Sequence, residues 1–333
     1  MAKKNTKPKS PKRKKNKGES AQSFLPIRDI RNGVVETTDG RYLKILEVEP
    51  INFALRSSEE QFNIISSFAS WLKISPIRLQ FKAITRRADS DKHISLVQEE
   101  LAREENPQCR ALGQDYLRLI RDVGNREALT RRFFLIFQYE ALGRDDGDYR
   151  RICAALQGAE QTARAYFLQC GNGIVQPENP DEATAEILYQ IFNRRSCQTE
   201  PFQTRVDRVV LDTMAAQGLT LGLDPVPEIP VVDFLAPRGI DFTQSRYTIM
   251  DGRYYTVLMI RGNGYPSRVR AGWISTLINA GEGIDVDLFL RRENRGKAID
   301  KVAQRIRLNR TKLKGMQDTS TDYEELQNSI QAG

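Results

Sequence analysis

Apolar and polar positions alternate along residues 33–49 and then change period, which separates strands from a helix early in the chain. Gly33 to Thr37 and Arg41 to Glu49 read as β-strands joined at Thr38-Asp39-Gly40, because an Asp-Gly turn supplies the positive φ a hairpin needs. Ser57 or Ser58, with Glu60 or Gln61 three residues on, is a capping-box pattern and predicts a helix over 58–74. Phe62, Ile65, Ala69 and Leu72 give that helix its expected inward face, widened by Ile64, Phe68 and Trp71. Pro76 stops it, and Ile77 to Ile84 alternates as a strand. Helices are predicted at 90–104 and 107–123. The nearly unbroken apolar run ending at Phe137 then predicts a strand, about 131–137, buried on both faces.

The period returns to 3.6 over 148–170, where Ile152, Leu156, Ala159, Ala163 and Phe167 share one face and Gly171 closes the helix. Helices at 181–195 and 201–216 follow. Residues 218–237 carry Pro225, Pro227, Pro230 and Pro237, too many for a helix, and are expected to be a linker. Beyond it the early pattern comes back. Asp251-Gly252-Arg253-Tyr254 repeats Asp39-Gly40-Arg41-Tyr42, a helix with Trp273 echoes the one with Trp71, and a strand at 284–290 echoes 77–84. In that strand Ile284, Val286, Leu288 and Leu290 face one way and Asp285, Asp287 and Arg291 the other. A basic helix at 294–314 is expected to bury Ile299, Val302, Ile306 and Leu313, and 321–331 starts another with Tyr323, Leu326 and Ile330 in line.

The fold class expected is therefore α+β: two ββαβα-like units with small mixed or antiparallel sheets packed by helices, plus a helical insertion. The domains expected are a disordered basic tail at 1–21, a first unit at 22–217, the linker at 218–237, and a second unit at 238–333 leading into an incomplete carboxy-terminal domain.

Composition changes this picture mainly through charge. The net charge of +8 is concentrated in residues 3–17, which hold nine Lys or Arg and no acid, leaving 42 basic and 43 acidic residues elsewhere. A tail with Pro8, Pro11 and Gly18 and no large apolar residue cannot offset its ordering entropy. Lys12, Arg13, Lys14 and Lys15 are its candidate contacts with anionic lipid or a nucleic-acid backbone. No apolar run is long enough to span a bilayer. Cys109, Cys153, Cys170 and Cys197 lack the paired spacing of a zinc site or disulfide framework, as in a reduced, cytoplasmic protein.

Candidate chemistry is narrow. With His93 as the single histidine, no two-His metal site can form, and it lies in a charged helical stretch as a surface imidazole. Gly296-Lys297 is followed by Ala298 and preceded five residues earlier by Arg291, so it fails the phosphate-loop pattern at two positions. Asp285 with Asp287, and Asp145, Asp146 and Asp148, read as solvated carboxylates. From Arg291 to Lys314 there are ten Lys or Arg against Glu293 and Asp300. Arg305, Arg307 and Arg310 are the candidate nucleic-acid contacts on that helix, without interleaved aromatics for base stacking. No catalytic, cofactor-binding or metal-ligating residue is assigned.

Four long blocks carry a resemblance: PIRDIRNGVVETTDGRYLKILEVEPINF at 26–53, ALTRRFFLIF at 128–137, FNRRSCQTEPF at 192–202, and the tract from Ala236 to Gln317 containing YPSRVRAGWISTLINAGEGIDVD. Across residues 22–333 the chain resembles the amino-terminal part of VirB/TrbE/CagE-type conjugation ATPases, the TraE-like proteins of Gram-positive integrative conjugative elements. The resemblance implies a cytoplasmic, peripheral component at the inner face of the cell membrane, docking on inner-membrane subunits of a type IV secretion system. It also implies that ATP and Mg²⁺ belong to a RecA-like carboxy-terminal domain. The chain is expected to be truncated before the Walker motifs, with no nucleotide site or enzymatic activity of its own, and oligomerisation is expected only with the full-length protein. The alternative is a nucleic-acid-binding protein using the basic tail and the helix at 294–314.

Overall fold

A computed structural model describes residues 20–313, except 77, 88–90, 127–128, 141–148, 261–263, 265–269, 271, 282 and 293–294. The tail residues Lys12 to Lys15 and the helix expected at 321–331 lie outside the described residues.

In chain order the elements are β1 (Ile27–Arg31), β2 (Val34–Thr37), β3 (Arg41–Glu49), α1 (Ser58–Ile74), β4 (Arg78–Arg87), α2 (Asp91–Arg103), α3 (Pro107–Arg126) and β5 (Leu129–Glu140). They continue with α4 (Tyr149–Gln169), β6 (Gly173–Ile174), α5 (Pro180–Phe192), α6 (Phe202–Ala216), α7 (Val231–Leu235), β7 (Ile240–Asp241), β8 (Thr248–Met250) and β9 (Arg253–Tyr255). The last are α8 (Trp273–Ile278), β10 (Asp285–Arg291) and α9 (Arg295–Leu313). The class is α+β with antiparallel sheets packed by helices, as the sequence predicts.

The chain divides into two units, each built from two separate stretches: residues 1–42 with 177–269, and residues 43–176 with 270–333. This division differs from the sequential one read from the sequence. Two local facts account for the difference. The proline-rich stretch is not a linker throughout: Pro230 and Pro237 bracket the one-turn helix α7, whose Leu235 and the following Ala236 are buried. Proline just before a helix costs nothing there, because the first N–H groups have no intrahelical acceptor. The strand expected in a second domain, β10, instead pairs antiparallel with β4 over seven residues, Asp285 opposite Ile84 through Arg291 opposite Arg78.

In the unit of residues 1–42 and 177–269, β1 and β2 form a hairpin whose two loop residues, Asn32 and Gly33, both have positive φ (55° and 66°). That is the two-residue turn Asn-Gly favours; β1 itself lies ahead of the first strand expected from the sequence, which begins at Gly33. Asp181 in the first turn of α5 accepts the Gly33 backbone N–H, tying the turn to a helix capped by Asn179. Helices α5 and α7 pack against β1. A separate three-stranded sheet runs β7-β8-β9.

In the unit of residues 43–176 and 270–333 the strand order is β6-β3-β5-β4-β10. Phe134, Leu135, Ile136 and Phe137 of β5 are all buried, so both faces of this strand are covered, as its apolar run predicts. Helix α1 begins at the expected capping box, with Ser57 and Glu60 exchanging side-chain and backbone bonds. Its inward face, however, is Ile64, Phe68 and Trp71, while Phe62 and Ile65 are 70% and 58% exposed. The stripes differ by one residue, about 100° of rotation. Aromatic packing selects the second: Trp71 meets Phe167 of α4 edge-on at 5.1 Å and Phe81 of β4 at 6.3 Å. Helix α4 contributes Ile152, Leu156, Ala163 and Phe167 as expected. In α9, Ile299 is exposed and Val302 and Ile306 are half-buried, so that face is not buried as the periodicity predicts; the Leu313 side chain lies outside the described residues.

The repeated tetrapeptide folds in two different ways. Asp251 and Gly252 both take positive φ (51° and 71°) in a two-residue turn. At the first copy Gly40 has a φ of 78°. There Asp39 pairs with Arg41 at 2.6 Å and accepts the Thr37 hydroxyl. These contacts hold the exposed Asp39 carboxyl down to about 2. Trp273 is only half-buried where Trp71 is fully enclosed. The two halves therefore share turn chemistry, not packing.

Candidate functional site

Of the contacts expected from the sequence, the side chains of Arg305 and Arg307 are the two within the described residues. Arg305 and Arg307 are exposed on α9, but residues two apart on a helix point about 160° away from each other. Arg305 and Arg307 therefore do not form one row. The Arg310 side chain lies outside the described residues. His93 lies on α2. The four cysteines are thiols and form no disulfide with one another, and burial pushes the Cys170 thiol up. Among the described residues no cluster of three metal-ligating side chains occurs and no helix is long and apolar enough to cross a membrane.

The densest polar cluster sits where α5, α6, α7 and the β8–β9 turn meet, and the sequence does not announce it. The block at 192–202 that carries part of the family resemblance supplies its centre. Asn193, 1% exposed, donates to the Leu235 carbonyl at 2.8 Å. Arg205 of α6 donates to the Ala236 carbonyl at 2.9 Å, satisfying the end of α7. Tyr189 donates its hydroxyl to the Glu200 carbonyl at 2.9 Å; burial, then the Glu200 charge, pushes it up to about 12. Glu200 is held below the usual carboxylate range: burial opposes ionisation, but the bond from Arg208 at 2.6 Å and the charges of Arg208, Arg205 and Arg238 outweigh it. Asp251 accepts the backbone N–H groups of Arg195 and Ser196 at 3.0 and 2.7 Å and also the Ser196 hydroxyl.

Chemically this is a clamp. Tyr189 stays protonated, Glu200 accepts from Arg208, and Asp251 accepts two backbone N–H groups together with the Ser196 hydroxyl, so each side chain ties two elements of the unit together. Beside it lies an open cleft of about 840 Å³ bordered by Arg195, Arg238, Asp241 and Arg253. Only buried polar residues in a run such as Asn193, Arg194 and Glu200 could have flagged the clamp, and burial is not visible in a sequence.

The other unit offers apolar surface. Leu55, Phe62 and Ile65 are 81%, 70% and 58% exposed before and along α1. On α3, Leu112, Tyr116 and Leu119 are also exposed and, with Cys109, follow a 3-4-3 spacing, the seam pattern of paired helices. The flank of α3 about 100° round from this stripe is closed: Leu117 is buried, and a Cβ on Gly113 would lie 2.2 Å from Leu101 of α2. Contiguous exposed apolar side chains of this kind mark interaction surfaces.

Residues 28–143 match a family model described as an archaeal TraC-like domain. The match contains β1 to β5 and α1 to α3, and therefore both exposed apolar faces; the polar clamp and α9 fall outside it. No curated protein matches the chain.

Proposed function

We propose that this chain is the docking and assembly portion of a conjugative type IV secretion ATPase, contacting inner-membrane channel subunits during DNA transfer. The TraC-like match over residues 28–143 carries the reading. The uncovered faces of α1 and α3 support it, because both lie within the matched span and an assembly surface is the ordinary reason to leave such side chains in water. We read the system as that of a Gram-positive integrative conjugative element and the chain as held at the cytoplasmic face of the membrane by its partners, which is what the resemblance across 22–333 implies. ATP and Mg²⁺ chemistry is assigned to the motor domain of such proteins, and assembly to the two units of this chain.

The test is flotation of the purified chain with inverted membrane vesicles from cells that carry, or lack, the conjugation channel. Co-flotation only with channel-bearing vesicles, lost in the Phe62→Glu, Ile65→Glu variant, is the expected result. Equal flotation with both vesicle types overturns docking on channel subunits. ATP turnover by the purified chain that survives removal of contaminants overturns the non-enzymatic assignment.

A further inference from the structure

A concavity of about 330 Å³ on the sheet of residues 43–176 and 270–333 belongs to none of the surfaces described above. Leu43, Arg78, Gln80, Ile136, Phe289 and Arg291 line it. Strand register orders these side chains in rows two residues apart, roughly 7 Å along the strands. In the first row Phe134, Lys82 and Asp287 lie side by side. Asp287 accepts from Lys82 Nζ at 3.0 Å and from Gln80 Nε2 at 2.7 Å, so the charge at this end is matched. The second row is Ile136, Gln80 and Phe289, with Phe289 73% exposed. The third puts Arg78 directly opposite Arg291, whose side chain is exposed, so two guanidinium groups share this end.

The groove thus carries an ion pair at one end, an apolar middle, and the exposed Arg291 guanidinium at the other. β10 stands last in the strand order, which leaves its outer backbone edge as a template for an extended chain among the described residues. A phosphate backbone would require positive charge along its whole track, and Asp287 occupies one end of this one. An extended peptide fits each feature: an apolar side chain over Ile136 and Phe289, then two residues along a carboxylate beside the guanidinium groups, which bind carboxylates in paired geometry.

We propose that this groove docks an extended acidic segment of a partner protein, with an aliphatic or aromatic residue and an Asp or Glu two positions apart. The inference stands on strand register and is independent of the conjugation reading. It is tested on the full chain by fluorescence anisotropy with two labelled synthetic peptides, one of Leu-Thr-Glu repeats and one of Leu-Thr-Lys repeats. The acidic peptide is expected to bind at least about tenfold tighter. Arg291→Glu should reverse that preference, Arg291→Lys should keep it, and Phe289→Ser should weaken binding without changing its sign. Near-ultraviolet circular dichroism identifies any variant that fails to fold, and the conservative Arg291→Lys then carries the comparison with the wild type. Equal binding of both peptides, binding of neither, or a preference unchanged in Arg291→Glu overturns the proposal. So does capture of a labelled single-stranded oligonucleotide in place of the acidic peptide, or self-association through this face that Phe289→Ser abolishes.

Discussion

Asp251 reaches across from the β8–β9 turn to Ser196, accepting its backbone N–H at 2.7 Å while sitting at a φ of 51°. One residue thus shapes a hairpin and closes the polar clamp. Asp251→Ala removes the acceptor for two backbone N–H groups and a hydroxyl, a loss of about 2–3 kcal/mol if they stay unsatisfied. Asp251→Asn keeps one acceptor and tolerates the left-handed backbone, so its cost should be about 1 kcal/mol. Urea midpoints of the two variants check the order.

Tyr189 makes stability depend on alkaline pH. Its hydroxyl is raised from 10.0 to about 12 in the folded chain, so the unfolded state releases its proton first as pH rises. The contribution is complete below pH 10 and is lost as pH climbs through about 12. Tyr189→Phe should cost about 0.5–1.5 kcal/mol near neutrality through the lost bond to the Glu200 carbonyl, and should flatten the decline above pH 10. Denaturant titrations at pH 8 and pH 11 measure both effects.

Among the described residues the Trp71 indole N–H finds no hydrogen-bond partner although the ring is 1% exposed. Its contribution is therefore packing against Phe68, Phe81 and Phe167. Trp71→Ala should lose about 3–5 kcal/mol. Trp71→Phe leaves no new orphan donor and should lose less than half of that, read from thermal unfolding.

Phe62 and Ile65 lie in water, so the Phe62→Glu, Ile65→Glu variant should unfold within about 0.5 kcal/mol of the parent. Unchanged stability with lost vesicle flotation separates a contact surface from a core; a large destabilisation would place these side chains in the core after all.

On α9, replacing Arg305, Arg307 and Arg310 by Glu tests the nucleic-acid alternative. If the helix tracks a phosphate backbone, DNA affinity should fall and its salt dependence should become shallower. Because Arg305 and Arg307 point about 160° apart, little change is expected, and residual DNA binding should vanish on removing residues 1–18.

Local chemistry was the most legible part of this fold. The Ser57–Glu60 capping box, the proline stop at Pro76 and the apolar strand at Phe133 to Phe137 each depend on neighbours in sequence, and each is present. Legibility failed where distant contacts decide. Both stripes of α1 are apolar, and only Phe167, about a hundred residues away, shows which one turns inward. Asn32-Gly33 is a readable hairpin signal, masked because the Asp39-Gly40 turn nearby claims the same strand. The polar clamp was hidden for a physical reason: Arg205 and Glu200 are charged residues that a sequence pattern assigns to the surface, and their burial rests on carbonyls from α7 and on Arg208.

The pairing of β4 with β10 has a consequence for biosynthesis. Lys82 and its partner Asp287 are separated by 205 residues, so a chain emerging amino-terminus first holds β4 without that neighbour for on the order of ten to forty seconds at ordinary translation rates. During that interval an unpaired strand edge is open to other nascent chains. Yield of soluble protein should therefore respond to chaperone supply during synthesis more than to the stability of the finished fold. Any expressed fragment that stops ahead of residue 285 makes that vulnerable interval permanent.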